Sequence, residues 1–547
     1  MSQDDLVRAL ETADFYPHRP RTVEHVQTHI SHVFLAGPYV YKLKKAVRFP
    51  FLDFSTAELR RHFCREEMRL NRRLAPGVYL DVLPIVRTAD GGLALGGAGD
   101  AVDHVVWMRR LPTEAILVNR LRRIRAESID ELAGVVARFH ARAPTGPEIA
   151  AHADADTLHA RWGENLETAA PFVGRLLAAE DREILGDFGA TFVRRHDTLL
   201  RARQRGGRIR EGHGDLRAEH VCFLDAPLAE PADLPPLPAG IYVFDCVEFS
   251  TSFRANDVAS EVAFLAMDLE SLDCPELARR FVAAYARAAD DPAVDVLLPF
   301  YACYRACVRG KVEGLASAEP EVAAADRERA AARARRHFTL AVRYAWQAEG
   351  PAVIACAGLE GAGKSTLARE LAAATGFVLL ATDEIRKRGS AAAGRAPYAA
   401  GAYTPAARAA TYERLTAEAE AALAAGRGVV ADATFIQARD RRRLAAAAVR
   451  ERRPYVFVEC RAPESVVRDR LLGRETEPQL SDARWDTYVE HSDARWDTYV
   501  EQRARREPFG ADEPYVVVET GRGRAEARAA ACRTLWRWRQ GRGTGAG

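Results

Sequence analysis

Between residues 31 and 110 apolar and polar positions alternate at a period of two, the spacing of a strand with one covered face. SHVFLAG (31–37) and YVYKLKKAV (39–47) read as two strands around a tight turn at Gly37-Pro38. VYLDVLPIVRT (78–88) reads as a third strand, and AVDHVVWMRRL (101–111), after an ADGG turn, as a fourth. Over 55–75 the period changes to that of a helix, which Pro76-Gly77 stops. Residues 30–110 are therefore expected to form a small, mostly antiparallel sheet with one inserted helix. A helix and an irregular approach precede it over 1–30. From Thr113 to about Arg205 the pattern is helical. A loop at 211–220 follows, then strands at HVCFLD (220–225) and GIYVFD (240–245) around a proline-rich excursion at 226–239. Helices are expected over 257–345.

The pattern changes again after QAEGP (347–351), where a domain border is expected. AVIACAGLEGAGKSTLARELAAATG predicts strand, glycine-rich loop and helix in succession. FVLLATDEI, GVVADATFI and YVFVECRAP are short, continuously apolar strands separated by helical stretches, the signature of a parallel sheet between helices. Two domains result, 1–346 (with lobes at about 30–110 and 113–346) and 351–537, followed by a tail at 538–547 expected to be disordered. One repeat interrupts the second domain: SDARWDTYVEH (481–491) is followed by SDARWDTYVEQ (492–502), ten of eleven letters identical. Eleven residues make almost three helical turns, so such a duplication on an exposed helix keeps nearly the same outward face.

The 547 residues are too many for one core, and 48% apolar content supports well-packed domains. The net charge of +2 gives no support to general polyanion binding, so nucleic acid is a weaker expectation than a small molecule. No apolar run is long enough to span a membrane, and MSQDDLVRAL has no basic start followed by an apolar stretch, so a cytoplasmic protein without a signal peptide is expected. The nine cysteines form no CxxC pair, consistent with reduced, packed thiols. Six lysines stand against seventy-two arginines. Where arginine has taken over most basic duty, the surviving Lys42, Lys44, Lys45, Lys311, Lys364 and Lys387 include positions that need a compact point charge.

Gly358-Leu359-Glu360-Gly361-Ala362-Gly363-Lys364-Ser365 follows a strand and opens a helix, the context in which GxxxxGK[ST] cradles phosphates. Small residues let backbone N–H groups wrap phosphate oxygens, and the helix N-terminus adds its positive end. Lys364 is expected on the β- and γ-phosphates, Ser365 on Mg²⁺, and Thr366 with the nucleotide-binding set. Asp383 and Arg386 lie just past the second strand, at the sheet's carboxyl edge where ligands bind. Asp383 suits a base for an acceptor hydroxyl, Arg386 a phosphate-steering cation, and Asp432, ending a buried strand, the Mg²⁺ shell. Arg468, Arg470 and Arg474 fall on a candidate lid, where they would neutralise the transferring phosphoryl group. Residues 352–520 resemble the small P-loop kinases that phosphorylate hydroxyls: the gluconate kinase, chloramphenicol phosphotransferase and polynucleotide-kinase group. The resemblance implies an ATP-dependent reaction and these roles for Asp383, Arg386 and Asp432, but no particular acceptor.

In the first domain, EGHGDLRAEHVCFLD (211–225) places Asp215 in a loop before a strand, and Asp245 ends the next strand, with Glu248 three residues on. Two neighbouring strand ends can bring Asp215, His220 and Asp245 together, as a nucleotide–metal site with a base requires. Lys42 and Lys44 share a strand face, and Glu67 on the following helix is placed to pair with them. Residues 30–315 resemble the aminoglycoside phosphotransferase-like, protein-kinase-like fold. That resemblance implies Asp215 as catalytic base, Asp245 as Mg²⁺ ligand, Lys42 (or Lys44) on phosphate, Glu67 orienting it and VVWMRRLP (105–112) as the adenine-side strand. Asp257 would lie behind the site, with Glu261 in a structural acid's place. His220 departs from the family's Asn. The residues leave open whether that metal position is lost, shifted toward Mn²⁺, or served by Glu219 or Glu248. Arg305 and Arg309, four apart on a helix, either line a cleft or face solvent.

Nearly the whole chain, through KLKKAV (42–47), FLDFSTAELRRHFCREEMRLNRRLAP (51–76) and the sites above, resembles a bacterial two-domain group. Its first half is aminoglycoside phosphotransferase-like and its second a P-loop, AAA-family ATPase-like half. The expected fold class is an α+β protein-kinase-like domain followed by a three-layer α/β P-loop domain with a parallel sheet. The expected activity is that of an ATP-dependent kinase acting on a small hydroxyl compound, with ATP and Mg²⁺ as cofactors and a second catalytic or regulatory site in the first domain. A nucleic-acid 5′-hydroxyl kinase would instead need stacking platforms, for which Trp485, Tyr488, Trp496 and Tyr499 are available. A non-catalytic, ATP-switched interaction protein is the third reading.

Overall fold

The structure, a computed structural model, describes residues 2–49, 51–389, 404–476 and 496–541, with the side chains of 389, 472–476 and 497 outside that description. The chain folds into two compact units, Met1–Asn165 with Gly189–Val308, and Leu166–Phe188 with Arg309–Gly547.

The first unit opens with an antiparallel sheet of β1 (Val23–Gln27), β2 (Ser31–Ala36), β3 (Tyr39–Lys44), β6 (Tyr79–Arg87), β7 (Leu93–Leu95) and β8 (Asp100–Arg109), with a separate short pair β4 (Arg48–Phe49) and β5 (Leu52–Asp53) between. The strand order in the sheet is β1-β2-β3-β8-β6-β7. The four expected strands are all present. β1 falls in the stretch expected to be irregular: VEHVQ has one apolar residue at each of two positions three apart and lies at a half-exposed sheet edge, so alternation does not mark it. The helix Ala57–Asn71 starts where Thr56 Oγ1 accepts the Leu59 N–H at 3.3 Å, a side-chain cap. Alternation buries Tyr39, Tyr41 and Leu43 on one face of β3, with Phe34, Ile85 and Val105, leaving Lys42 and Lys44 on the face toward that helix.

Two short antiparallel pairs carry the loops of interest. β9 (Ile209–Glu211) pairs with β12 (Ala255–Asp257), and β10 (Val221–Leu224) with β11 (Gly240–Val243). Behind them Arg203 holds Asp257 at 2.6 and 2.7 Å and Asp291 at 2.7 and 2.9 Å. Asp257 also caps the helix Val258–Ser271. Its place behind the site is that of a structural acid.

The second unit holds a five-stranded parallel sheet formed by β13 (Val353–Ala357), β14 (Val378–Ala381), β15 (Val429–Asp432), β16 (Tyr455–Arg461) and β17 (Tyr515–Glu519), in the order β14-β15-β13-β16-β17. Val353, Ala355 and Ala357 pack on one face with Leu415, Ala419 and Leu444 from the helices Pro405–Ala424 and Ala438–Arg450. The helices Lys364–Thr375 and Arg524–Arg539 pack together and against the sheet. The helix Ala324–Ala348 belongs to this unit, although the sequence places a border after it. Arg343 Nε donates to Ala373 O at 2.9 Å, and Trp346 is buried with its ring 5.2 Å from that of Trp536. Segment 166–188 joins it as well, through Arg528 on Asp181 (2.9 and 2.8 Å) and Trp536 Nε1 on Asp187 (2.8 Å). The last helix runs through Arg539, past the expected start of the tail at 538; residues 542–547 lie outside the described residues. So do residues 481–495, the first repeat copy and part of the second. Among the described residues no helix is long and apolar enough to cross a membrane.

Candidate functional site

The glycine-rich loop of the second unit runs from the end of β13, the central strand, into the helix Lys364–Thr375. Its shape requires glycine. Gly358 has φ +144°, and a Cβ there would lie 2.7 Å from Cys460 O; Gly361 has φ +73°, and a Cβ would lie 2.8 Å from Val467 Cγ1. Gly363 stands at the helix N-cap, and among the described residues no side chain caps that helix. Its first N–H groups are thereby left to a ligand, and the helix end favours an anion. Lys364 Nζ donates to Leu359 O at 2.9 Å, folding its ammonium back over the loop.

Asp432 ends β15 beside β13 and is nearly buried. Burial pushes its pKa up, opposed by Lys364 and by a hydrogen bond from Ser365, while Asp383 pushes it further up. The structure thus brings Lys364, Ser365, Asp432 and Asp383 into one electrostatic group at the sheet's carboxyl edge. A hydroxyl, a carboxylate and an uncapped helix end are hard oxygen and N–H groups that suit a Mg²⁺-nucleotide. Asp383 is exposed at the first turn of the helix Thr382–Gly389, 3.0 Å from Arg386.

The three lid arginines part company. Arg470 spans from the loop to the segment after β17, donating to Gly361 O (3.2 Å) and Thr520 O (2.7 Å). Arg468 lies over the Trp496 ring, 5.6 Å from its centroid. Arg474 has its side chain outside the described residues. Arg470 walls a cavity of about 270 Å³ that is also lined by Gly361, Gly363, Thr366, Thr520 and Arg524. Sequence reasoning missed Thr520 and Arg524; the apolar run YVVVE (515–519) just before them was the available signal. Of the aromatic residues in the repeat, Trp496 and Tyr499 stack on each other (centroids 5.0 Å apart), and Tyr499 is buried with Val467 and Leu471. Trp485 and Tyr488 lie outside the described residues.

In the first unit β3, the helix Ala57–Asn71 and the segment after β11 converge. Lys42 Nζ donates to Glu67 Oε1 (2.9 Å) and Asp245 Oδ1 (2.6 Å), and Lys44 Nζ to Glu67 Oε2 (2.7 Å) and to Glu248. Burial works against every charge here. The lysines offset it and hold the Glu67 and Asp245 carboxyls below their usual range, and the carboxylates hold both lysines above theirs. Glu248, with Lys44 as its close partner, is pushed up by burial. Glu248 is therefore committed to Lys44. Asp245 sits at φ +63°, a left-handed conformation that costs an aspartate about 1–3 kcal/mol. Its N–H donates to Tyr79 Oη (3.1 Å), and the Cys246 N–H to Asn71 Oδ1 (2.9 Å), which pins the turn.

The loop at 211–220 lies against this turn. His213 Nε2 meets Phe244 O at 3.0 Å, and the Asp215 N–H donates to His213 Nδ1 at 3.3 Å. Burial pushes the His213 pKa down to about 4, so the ring is neutral, as both contacts require. Glu261 accepts the Gly214 N–H and bonds His140 at 2.8 Å. Gly212 keeps that approach open, since a Cβ there would lie 2.5 Å from the Glu261 carboxyl. Arg305 Nη1 donates to Gly214 O at 3.3 Å from beneath, buried. Arg309 instead pairs with Glu313 at 2.7 Å in the other unit. Both Asp215 oxygens accept from Arg217, each at 2.9 Å, and Arg217 also pairs with Glu219. Sequence reasoning missed Arg217; its place two residues after the acid was the available signal. His220 Nδ1 lies 2.8 Å from Asp215 O, and its Nε2 lies 3.5 Å from Asp245 Oδ2. Asp215, His220, Asp245, Lys42 and Glu67 thus form one connected set.

Residues 353–494 match the family model described as an AAA domain. The uncharacterized protein Rv2004c of Mycobacterium tuberculosis is 32% identical over 459 residues, which span 82% of this chain and 85% of that protein. The chain belongs to the Rv2004c family. Among solved structures, a choline/ethanolamine kinase family protein from Mesorhizobium loti is similar at 14% identity, covering 62% of this chain and 99% of its own, with a TM-score of 0.36. A gluconokinase from Sinorhizobium meliloti is similar at 21% identity, covering 35% of this chain and 95% of its own, with a TM-score of 0.24. Both likenesses concern fold alone. This member of the Rv2004c family carries the AAA-domain match on the parallel sheet and glycine-rich loop of its second unit.

Proposed function

We propose that the protein is an ATP-dependent kinase whose P-loop unit transfers the γ-phosphoryl group of ATP to a hydroxyl on a small molecule. The first unit is a second nucleotide site, catalytic or regulatory. The observation that carries this reading is the grouping of Lys364, Ser365, Asp432 and Asp383 at an uncapped helix N-terminus. In this reading the loop N–H groups and Lys364 bind the β- and γ-phosphates, and the cavity beside Thr366, Arg470 and Thr520 takes the base and ribose. Ser365 and Asp432 hold Mg²⁺, which when bound neutralises charge between the phosphates. Asp383, exposed at the open edge, accepts the proton of the acceptor hydroxyl, and Arg386 beside it orients the acceptor or its phosphate. In the first unit Lys42 binds phosphate, Asp245 and His220 hold a metal, and Asp215 is the base. Trp496 and Tyr499 stack on each other, and Tyr499 is buried beside Val467 and Leu471, so among the described residues these two favour the small-molecule reading over a nucleic-acid strand.

The test is γ-phosphate release from ATP, with Mg²⁺ or Mn²⁺, by the unaltered protein, D215A, K364A and the double variant. A panel of hydroxyl-bearing metabolites and 5′-hydroxyl oligonucleotides is added in turn. K364A is expected to lose most of the turnover, by about 10²-fold or more. Any acceptor-stimulated remainder is expected to vanish with D215A. Undiminished turnover in K364A sinks the assignment of the P-loop unit.

A further inference from the structure

His220 stands where the loop of the kinase-like fold that this unit resembles has an amide, and its two ring nitrogens have different neighbours. Nδ1 lies 2.8 Å from the backbone carbonyl of Asp215. A carbonyl only accepts, so Nδ1 carries the proton, and in the neutral ring the lone pair is on Nε2. Two carboxylate oxygens lie near that nitrogen, Asp245 Oδ2 and Glu219 Oε1, each 3.5 Å away. This is too long for a good hydrogen bond. It is the spacing of two donors that share one ion, since ligand distances of about 2.1 Å place neighbouring donors roughly 3–3.5 Å apart.

The surroundings divide the carboxylate oxygens unequally. Lys42 takes Asp245 Oδ1 at 2.6 Å, leaving Oδ2 toward the ring. Arg217 holds both oxygens of Asp215 and pairs with Glu219. The pair that remains is therefore His220 Nε2 and Asp245 Oδ2, 3.5 Å apart. Mg²⁺ favours an all-oxygen shell, whereas an imidazole nitrogen beside a carboxylate suits the first-row transition ions. Among the described residues no set of three or more His, Cys, Asp or Glu is gathered as a metal site. Two protein donors leave most of the coordination shell to other oxygens, which nucleotide phosphates would supply.

We propose that His220 Nε2 and Asp245 Oδ2 together bind a divalent transition-metal ion, with Mn²⁺ preferred over Mg²⁺, jointly with a nucleotide in the first unit. This rests on reading that unit as a nucleotide site. His220 replaces an oxygen ligand by nitrogen and so sets the metal preference.

The experiment uses full-length K364A, which silences the P-loop site, with Mn²⁺ and a non-hydrolysable ATP analogue. Nucleotide binding is measured by calorimetry, and coordination by electron spin-echo envelope modulation of bound Mn²⁺. The expected spectrum shows one directly coordinated imidazole ¹⁴N, converted to ¹⁵N by labelling histidine. Mn²⁺ should be retained about tenfold or more tightly than Mg²⁺, and only when nucleotide is present. H220N should lose the nitrogen coupling and most of the preference. Nucleotide binding with no imidazole coupling, or a coupling that survives H220N, overturns the inference and leaves the nucleotide site standing. No nucleotide binding in K364A overturns both. The coupling in K364A with His220 intact is decisive by itself, so the conclusion does not depend on the stability of H220N.

Discussion

Lys44 and Glu67 form an ion pair that is fully buried on both sides, with 2.7 Å between Nζ and Oε2. Glu67 uses its other oxygen for Lys42, and Lys44 uses its remaining capacity for Glu248. The two lysines that looked interchangeable in the sequence therefore have different surroundings. Lys42 ends beside Asp245 at the partly exposed edge of the site, whereas Lys44 is enclosed under the Phe54 ring, 4.9 Å from its centroid. Glu67 transmits the constraint: held from behind by Lys44, it fixes the lysine that faces Asp245.

Removing Lys44 should therefore act on stability before function. K44M leaves Glu67 and Glu248 buried without their shared cation, and loss of one partner of a buried pair costs about 3–5 kcal/mol. The unfolding transition of the first unit, followed by urea titration of the full chain, should move to lower denaturant by a corresponding amount. K42M retains the Lys44–Glu67 pair, so it should lower nucleotide affinity in the first unit with the smaller stability loss. Equal stability losses for the two variants would contradict the division of roles.

Glu261 makes the first unit sensitive to acid. Burial opposes its charge, but the hydrogen bond from His140 and the Gly214 N–H hold its pKa down at about 2, against 4.5 for the free side chain. A carboxyl whose pKa is lower in the folded state stabilises that state above the unfolded value. Its contribution is present above about pH 4.5 and drains away as pH falls toward about 2, a total of about 3 kcal/mol. E261Q should flatten the acid limb of a stability-against-pH curve between those values and lower stability at pH 7. An unchanged acid limb in E261Q would refute this assignment. Because Gly214 adjoins Asp215, the same change should also loosen the loop that carries the acid.

The legible parts of the fold were those with local signals. Continuous apolar strands and GLEGAGKS identified the parallel sheet and its loop, and alternation identified β2, β3, β6 and β8. What escaped depends on long-range packing. β1 is an edge strand with a mixed pattern, and the helix Ala324–Ala348 looks like the end of the first domain although Trp346 and Trp536 pack together within the second unit. In the sites, the acids were visible because they end strands or lie in the loops and turns beside strand ends. Their partners were harder to find: Arg217 on Asp215, Glu248 on Lys44 and Arg470 on Gly361 are choices of side-chain direction that spacing along a strand or helix does not fix.

The pairing of Ser365 with Asp432 gives the P-loop assignment its sharpest test. Lys364 and Ser365 both lower a pKa that burial of the Asp432 carboxyl has pushed up, so the charged carboxylate depends on them. If both serve one Mg²⁺, then S365A and D432N should each weaken binding of the metal–nucleotide complex by about 10- to 100-fold. The double variant should be little worse than the weaker single one, a coupling energy of about 1–2 kcal/mol. Metal-free nucleotide, measured with a chelator present, should bind all four proteins nearly equally, because Lys364 and the helix N-terminus hold phosphate without the ion. Single losses that add fully in the double variant, or that persist with the chelator, would show that the two residues support the loop's shape and do not act through a shared metal.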